Sequence, residues 1–471
     1  MAWRVLRQTR ISIEVIRIKA LGGLPENRRR CFPVRKYISL LKRRRAFVLL
    51  DKLPACRYDS ILVEDETLMK ITENKLPLAE RMSRLGTEGA FEVLARAKQL
   101  EAEGRDIIHL EIGEPDFPTA SHITEAAARA MREGWTHYGP SAGLPQLREA
   151  VAEDAGKRRG ISIDPSEVVI TPGAKPVFFY AILALVEPDD EVLYPNPGFP
   201  IYESMIRFVG ARPVPYALRE QNDFDVDANA VLEKLTPRTR MVIINSPQNP
   251  TGGVMTRAEL KAVAEGLADR DIFILSDEIY GRLIYEGEPA SLAQFPAVRD
   301  RTIILDGFSK AYAMTGWRLG YGIMRPDLAE QMIRLMINSN SCTASFTQIA
   351  GVAALRGDQS GIDRMLEEFR RRREVIVKGL SEIPGLRCAQ PHGAFYAFPN
   401  ITGTGIPSRR LAESLLKEVG VACLPGTAFG EWGEGYLRFS FANSVENISK
   451  ALDRIGHWIR KNSVTGRQPR Q

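Results

Sequence analysis

Between about residues 86 and 330, short apolar runs alternate with longer stretches of helical periodicity. The stretch GAFEVLARAKQLEAEGRD has apolar residues at helical spacing and predicts a helix that stops at Gly104. Apolar, β-branched runs predict strands at IIHLEIG, EVVITPG, DEVLYP, ARPVPYAL, RMVIINSP, DIFILSDE, RTIILDGF and RLGYGIM. Because helical patterns separate many of these runs, the alternation favours an α/β fold whose mostly parallel sheet is covered by helices on both faces.

The pattern changes after residue 330. Long charged helices, such as GIDRMLEEFRRRREVIVKGLSEI, alternate there with short strands at GAFYAFP and GYLRFSFA, which predicts a smaller α+β domain. We therefore expect a large domain over residues 113–330 and a small domain over residues 331–465, to which residues 69–112 contribute. The run FRRRREV is interpreted as a solvated helix face.

Composition narrows the class of protein. The 471 residues are 44% hydrophobic and 26% charged, as is ordinary for a soluble globular protein. No apolar run approaches the roughly 18 residues that a membrane span needs. The five cysteines, at positions 31, 56, 342, 388 and 423, have neither a disulfide framework nor metal-ligand spacing. We therefore expect a protein of a reducing compartment, the cytoplasm, with no metal site and no membrane partner.

The net charge of +6 is unevenly distributed along the chain. Residues 1–60 carry 16 Lys+Arg and 4 Asp+Glu, a net charge of +12, whereas the remainder carries 48 against 54. The mildly acidic main body argues against a nucleic-acid surface. The basic segment 1–68 is compatible with a targeting presequence, a basic binding arm or translated upstream sequence, and we favour a dispensable extension.

Four motifs place special residues where predicted strands end. They are TPGAKPVFF with Gly173, NSPQNPTGG with Asn249, FILSDEIYG with Asp277, and SKAYAMTGWRLGY with Lys310. In such a sheet, ligands bind at the carboxyl ends of the strands. Each motif alone has a simpler explanation: a turn glycine, an Asn-Pro turn, a helix N-cap aspartate or a solvated lysine. Their order and spacing favour a common site.

The chemistry of these side chains fits one ligand. The helix start after TPG and the guanidinium of Arg318 suit a phosphate. Asp277 needs a cation or a strong donor if it is buried, and so suits a protonated ring nitrogen. Asn249 and Tyr280 suit a ring hydroxyl, and Lys310 suits an aldehyde. We therefore predict pyridoxal 5′-phosphate (PLP), bound as a Schiff base to Lys310.

Over about residues 75–465, these motifs resemble those of the class I aminotransferases. The resemblance implies the PLP-dependent transferase fold of type I, with a seven-stranded sheet in the large domain. It also implies that Lys310 is the Schiff-base lysine and general base, and that Asp277 and Tyr280 contact the ring nitrogen and O3′. The other implied cofactor contacts are Gly173, Ala174, Lys175, Phe199, Asn249 and Arg318, together with Tyr138, which reaches the phosphate of the partner subunit.

The resemblance extends to the substrate. Arg438, in YLRFSFA, matches the arginine that holds the substrate α-carboxylate, beside Gly113 and Asn249. Lys175 resembles a lysine of bacterial-type aspartate aminotransferases and is expected to reach the distal carboxylate of a dicarboxylic substrate. One departure is Gly307, because many members carry a serine hydroxyl three residues before the lysine.

The implied activity is ping-pong transfer of an amino group between an amino acid and a 2-oxo acid in a homodimer with shared active sites. We expect glutamate/2-oxoglutarate as one substrate pair and aspartate/oxaloacetate as the other. Aromatic or other neutral amino acids are the alternative, since Phe199, Tyr138 and Phe395 could supply an apolar wall. A carbon–sulfur lyase on the same fold also stays open. A transcription regulator would need a helical DNA-binding domain before residue 75, whose pattern is missing there.

Overall fold

A computed structural model of the chain describes residues 77–462. The extension predicted at residues 1–68 lies outside the described residues. The strands are β1 (Ile108–His109), β2 (Val168–Thr171), β3 (Glu191–Asn196), β4 (Arg212–Ala217), β5 (Thr239–Asn245), β6 (Phe273–Asp277), β7 (Thr302–Gly307), β8 (Gly320–Ile323), β9 (Tyr396–Ala397), β10 (Val421–Ala422), β11 (Leu424–Pro425) and β12 (Leu437–Ser440). Each run predicted as a strand from the sequence overlaps one of these elements.

Helices occupy most of the chain between the strands. The α-helices are α1 (Gly89–Ala102), α2 (Ser121–Arg132), α3 (Pro145–Arg159), α4 (Lys175–Leu185), α5 (Ile201–Phe208), α6 (Ala228–Leu232), α7 (Arg257–Leu267), α8 (Pro296–Arg299), α9 (Pro326–Ser339), α10 (Ser345–Arg356), α11 (Ser360–Ser381), α12 (Ser408–Ser414) and α13 (Val445–Asn462). Within the described residues, no helix is both long and apolar enough to cross a membrane.

The large sheet has seven strands in the order β2-β8-β7-β6-β5-β3-β4. Strands β3 to β7 pair in parallel, while β8 is antiparallel to both β2 and β7. The predicted fold class, a mostly parallel seven-stranded sheet within an α/β fold, is therefore confirmed. The central strands are mostly apolar and buried because the sheet is covered on both faces.

Alternate residues of the central strands belong to different layers of the core. Met241 and Ile243 of β5 pack in a cluster with α4, α5 and α9, whereas Val242 and Ile244 pack in a cluster with α6 and α7. This division follows from the two-residue period of a strand. It buries both faces and leaves only the ends of the strands for polar side chains.

Two smaller sheets are built mostly from the C-terminal part of the chain, to which β1 is added from the N-terminal part. Strand β1 pairs in parallel with β10, and β11, β12 and β9 form a three-stranded antiparallel sheet. Helices α11 and α13 pack together beside them. The boundary predicted at residue 331 falls within α9, and both α9 and α10 pack on helices of the large sheet. The division into two domains stays a prediction.

The run FRRRREV is not a uniformly solvated face, in contrast to the prediction. Arg372 and Arg373 are buried, and each is paired with a carboxylate, Asp116 for the first and Glu286 for the second. Their guanidinium groups also stack on aromatic rings, which helps to offset the cost of burial.

Candidate active site

The ends of several strands meet at one edge of the large sheet. Parallel pairing places Asn245, at the end of β5, beside Asp277, at the end of β6. Lys310 follows the end of β7, which pairs in parallel with β6. Because β8 runs antiparallel to β7, its first residue also lies at this edge, soon after Arg318. The topology therefore brings side chains from separate segments of the chain to one place.

These side chains line a cavity of about 500 Å³. The predicted site residues that line it are Gly113, Ala174, Lys175, Phe199, Asn249, Asp277, Tyr280, Lys310, Arg318 and Arg438. Two predicted residues do not line it. Gly173 lies against the guanidinium of Arg318, and Tyr138 is 88% exposed at the surface.

Asp277 is a buried carboxylate with no cationic partner among residues 77–462. Its Oδ2 accepts a hydrogen bond of 2.6 Å from Tyr202 Oη, and its Oδ1 accepts one of 3.2 Å from the backbone N–H of Ile279. Burial raises the pKa of Asp277 to about 6, against the opposing effect of the Tyr202 hydrogen bond. Residues 279–282 form turns, so the interpretation of Asp277 as a helix N-cap is wrong.

Lys310 extends from the turn after β7 into the cavity. Its Nζ donates a short hydrogen bond to the carbonyl oxygen of Gly113 and lies 5.9 Å from the ring centroid of Tyr280. Burial lowers the pKa of Lys310 to about 8, although the carboxylates of Glu88 and Glu114 oppose the shift. With this pKa roughly a tenth of the amine is neutral and nucleophilic at pH 7, far more than for an ordinary lysine, which does not fit a solvated turn residue.

The TPG turn and Arg318 together form a site suited to an anion. The turn leads into α4, whose N-terminus carries free backbone N–H groups and the positive end of the helix dipole. Gly173 has a φ of +89°, and a Cβ there would lie 2.2 Å from Arg318 Nη2. Arg318 Nη1 donates to the carbonyl oxygen of Thr315 at 2.8 Å. No carboxylate of the described part of the chain pairs with Arg318, so its other donors remain free for a phosphate.

The structure gives a reason for Gly307, where the family pattern often has a serine. Gly307 faces Gly320 in the β7–β8 pair. A Cβ at Gly307 would lie 3.0 Å from Gly320 Cα and 3.2 Å from the carbonyl oxygen of Leu319. Since these are backbone atoms, a serine would fit only if the strands moved apart. The hydroxyl of Ser309 lines the cavity and is a second polar group in this region.

Arg438, on β12, is held between two aromatic rings. Its Cζ lies 4.5 Å from the ring centroid of Tyr396 and 4.9 Å from that of Phe429. Nη1 donates to Asn249 Oδ1 at 3.1 Å, and Nη2 donates to the carbonyl oxygen of Glu111. Its buried Nε has no hydrogen-bond partner within residues 77–462. A guanidinium fixed in this way suits recognition of a carboxylate.

Lys175, the first residue of α4, faces the same cavity. Its Nζ forms an ion pair of 2.6 Å with Glu88 Oε2, and its side chain is 51% exposed. The Nζ also lies 5.2 Å from the ring centroid of Phe199. The lysine is therefore already close to a carboxylate at the cavity wall.

Several residues that line the cavity were not predicted from the sequence, among them Glu88, Tyr202 and Tyr396, which contact predicted site residues directly. Tyr202 lies three residues after Phe199, so the helical spacing of an aromatic pair was an available signal. Tyr396 belongs to GAFYAFP, which was interpreted only as a strand. Its Oη lies 2.7 Å from Tyr280 Oη, a contact between residues 116 positions apart. Phe395, considered as part of an apolar wall, is fully buried behind Tyr280.

The residues present fit PLP. Asp277 is a buried carboxylate that lacks a cation within the described residues, as a protonated pyridine nitrogen requires. The turn at Gly173 has no room for a side chain and lies beside an unpaired guanidinium, as a phosphate requires. Lys310 supplies an amine with a lowered pKa, as an aldehyde requires.

Known proteins resemble this chain in both sequence and structure. The family model described as aminotransferase class I and II matches residues 105–455. The aspartate aminotransferase of Pyrococcus horikoshii is 43% identical over 388 residues, which cover 81% of this chain and 97% of the relative. The aromatic-amino-acid aminotransferase 2 of Thermococcus litoralis is 38% identical over 384 residues, with coverages of 81% and 97%. The solved structure of Thermus thermophilus aspartate aminotransferase with maleate has a TM-score of 0.78 and 36% identity, and the match covers 81% of this chain and 99% of that one.

Proposed function

Since the chain belongs to the class I and II aminotransferases, a PLP-dependent family, we propose that it transfers the amino group of aspartate to 2-oxoglutarate, giving oxaloacetate and glutamate. The family, the fold type, the cofactor and the class of reaction predicted from the sequence are confirmed. The substrate pair is our proposal. The observation that carries it is the presence of two cationic side chains, Arg438 and Lys175, in the cavity that holds Lys310.

The proposed roles follow from the contacts of each residue. Arg438 binds the α-carboxylate, which orients the substrate Cα–H toward Lys310. The Lys310 amine takes the proton from Cα, and its lowered pKa suits a general base near neutral pH. With PLP bound, the Asp277 carboxylate would hold the proton of the ring nitrogen, and the Tyr280 phenol would donate to the ring oxygen. When bound, PLP supplies the electron sink that accepts the electron pair left at Cα.

A dicarboxylic substrate needs a second cation, and Lys175 is the lysine placed to supply it. Its Nζ already holds a carboxylate, that of Glu88, so a distal substrate carboxylate would join or replace an existing partner. Because the side chain is half-exposed, we expect the pair to contribute about 1–2 kcal/mol, or roughly five- to thirtyfold in binding. The named aspartate aminotransferase relatives are consistent with this choice.

Aromatic amino acids are the second candidate. Phe91 is 60% exposed, lines the cavity together with Phe199, and could contact an apolar side chain. Glu88 also neutralises part of the charge of Lys175, which makes the cavity less selective for anions. The aromatic-amino-acid aminotransferase among the relatives keeps this candidate open.

The test is the Lys175→Gln variant, assayed with aspartate and with phenylalanine as amino donors to 2-oxoglutarate. A loss of kcat/KM confined to aspartate supports the proposal. An equal loss for both donors assigns Lys175 to the cofactor, and wild-type preference for phenylalanine selects the aromatic candidate. Release of pyruvate from a β-substituted amino acid, without any 2-oxo acid acceptor, would instead select the lyase.

We propose that the enzyme is a homodimer with shared active sites. Two features support this. Tyr138 is 88% exposed on its own chain, where it has no role in the cavity. Large apolar side chains are also exposed on neighbouring helices, namely Phe179 and Leu183 of α4 and Ile337 of α9. Such a patch is typical of an interface. Sedimentation at low concentration tests it, because a fully active monomer would contradict the proposal.

We also propose a cytoplasmic location. The cysteines of the described residues, Cys342, Cys388 and Cys423, are free thiols. Unpaired, scattered cysteines are typical of a reducing compartment. Fractionation of cells with an antibody to the native protein tests this, and recovery from a membrane-enclosed or secreted fraction would contradict it.

A further inference from the structure

Tyr396, at the start of β9, touches three parts of the active site although its side chain is almost fully buried. Its Oη lies 2.7 Å from Tyr280 Oη, and its ring centroid lies 4.5 Å from Arg438 Cζ. It also packs so closely on Gly113 that a Cβ there would lie 2.1 Å from the Tyr396 Oη. The side chain therefore stands between the proposed substrate contact and the proposed contact to the cofactor oxygen.

Packing alone does not explain the hydroxyl of Tyr396. The residue is 1% exposed, and its ring lies 4.9 Å from that of Phe395, so a phenylalanine would fill the same space. Burying a hydroxyl is unfavourable unless it is hydrogen-bonded. Within residues 77–462, Tyr280 Oη is its only hydrogen-bond partner. The hydroxyl is thus explained by this one contact.

Either phenol can donate the Tyr280–Tyr396 hydrogen bond, and a ligand oxygen at Tyr280 would fix its direction. Burial raises the pKa of both Tyr280 and Tyr396, so both phenols stay protonated near neutral pH. Only one of the two protons can lie between the two oxygens. If Tyr280 is to donate its proton to a ligand oxygen, the proton between them must come from Tyr396. A donor on its oxygen also polarises Tyr280 and makes it a stronger donor.

Arg438 is linked to both residues that are proposed to reach the ring oxygen, to one directly and to the other through an intervening ring. It reaches Asn249 directly, at 3.1 Å, and it reaches Tyr280 through the ring of Tyr396. Its charge opposes the rise in the pKa of Tyr396, so a carboxylate bound at Arg438 would change the donor strength of that hydroxyl. Substrate binding and the Tyr280 hydrogen bond are therefore linked through a single side chain.

We propose that Tyr396 is a positioning residue that couples carboxylate binding at Arg438 to the hydrogen bond that Tyr280 donates to the cofactor. The proposal rests on the proposed function, since it uses the roles given there to Arg438 and Tyr280. It predicts that Tyr396 acts only through Tyr280. This dependence separates coupling from a simple contribution to packing.

The test is a pH titration of the visible absorbance of the holoenzyme, for wild type, Tyr396→Phe, Tyr280→Phe and the double variant. The visible band reports the proton on the Schiff-base nitrogen. Loss of a polarising donor leaves more negative charge on the cofactor oxygen, so this proton should dissociate at a higher pH. We expect the midpoint of Tyr396→Phe to rise by about half a unit to one unit, and that of Tyr280→Phe to rise more. The double variant should match Tyr280→Phe.

Maleate, a dicarboxylate without an amino group, probes the link to Arg438. We expect maleate to shift the midpoint in the wild type and to shift it less in Tyr396→Phe. The matched control is Tyr285→Phe, which removes another buried hydroxyl, bonded to the carbonyl oxygen of Ala394 and outside the cavity. This control should titrate like the wild type.

Two results would overturn the coupling. One is a Tyr396→Phe titration and maleate response equal to those of the wild type, and the other is an effect fully additive with Tyr280→Phe. Failure of the proposed function is a separate result. It would appear as a wild-type enzyme that prefers phenylalanine to aspartate as amino donor, whatever Tyr396→Phe does to the titration.

Discussion

Tyr202 Oη donates a hydrogen bond of 2.6 Å to Asp277 Oδ2, the shorter of the two hydrogen bonds that this carboxylate accepts within residues 77–462. A phenol stabilises a carboxylate but does not neutralise it. Burial therefore still raises the pKa of Asp277, to about 6. A buried, uncompensated charge at a binding site is typical of a residue selected for its ligand rather than for stability.

Asp277→Asn should make the cofactor-free protein more stable at neutral pH. The folded-state pKa of Asp277 is raised, to about 6 from an ordinary value of 3.8. The native state therefore binds the proton more tightly than the unfolded state, and stability falls as pH rises from about 4 to 6. Asparagine removes this penalty. We expect a gain that is about 1 kcal/mol larger at pH 8 than at pH 5, measured by urea unfolding.

The matched control for this experiment is Asp327→Asn. A hydrogen bond from Arg325 lowers the pKa of Asp327, which is exposed, so its removal should give no gain at neutral pH. Addition of PLP should make the wild type more stable than Asp277→Asn, because only the wild-type carboxylate gains a cationic partner. A gain that does not depend on pH would show that the stabilisation comes from another source.

Loss of the Asp277 carboxylate, which should increase stability, should decrease activity. Asp277→Ala should reduce kcat at least about a hundredfold, because it removes the carboxylate proposed to support the electron sink. Asn249→Ala should cost less, about tenfold, since the role proposed for its amide is only a hydrogen bond to the ring oxygen, beside the bond that it accepts from Arg438. Steady-state transamination rates at saturating PLP measure both. A larger loss for Asn249→Ala would show that the two roles are assigned wrongly.

The fold and the strand-end residues were predictable because both depend on local patterns. Apolar runs gave the strands, and the topology of a parallel sheet then brings Asn249, Asp277 and Lys310 to one edge. Gly307 is different. Its role depends on how closely Gly320 approaches it across the β7–β8 pair, which no local pattern encodes.

The remaining site residues were missed because their contacts join distant segments. Tyr202 reaches Asp277 across 75 positions, and Lys175 reaches Glu88 across 87. The arginine run of α11 was misjudged for the same reason. Its charge pattern is that of an exposed helix, and the partners that bury Arg372 lie in other segments of the chain.

Lys310→Ala should abolish transamination and the cofactor band that depends on a covalent link. Within the described residues, the other lysine that lines the cavity is Lys175, which is held in an ion pair of 2.6 Å with Glu88, so we do not expect it to replace Lys310. Borohydride treatment of the wild type, followed by peptide mass mapping, should place the modification on Lys310. Label on a different lysine would contradict the assignment.

Deletion of residues 1–68 should leave kcat and KM within about twofold of the full-length values. The residues that line the cavity lie between Glu88 and Arg438, and the family match spans residues 105–455. The comparison uses the full chain and the shortened chain, purified in the same way. A large loss of transaminase rate, with the shortened chain still folded by circular dichroism, would show that the extension contributes to the enzyme.

If the active sites are shared between subunits, mixing two inactive variants should restore part of the transaminase activity. If Tyr138 of one chain serves the site that contains Lys310 of the other, a hybrid dimer of Lys310→Ala and Tyr138→Ala chains contains one complete site. If equal amounts of the two variants are mixed and their subunits exchange at random, half of the dimers are hybrids. Each hybrid has one complete site out of two, so the expected activity per chain is about a quarter of the wild-type value. Tyr138→Ala must itself be strongly impaired, which the unmixed sample checks. If Tyr138 instead served its own chain, the hybrid would contain no complete site, and mixing would restore nothing.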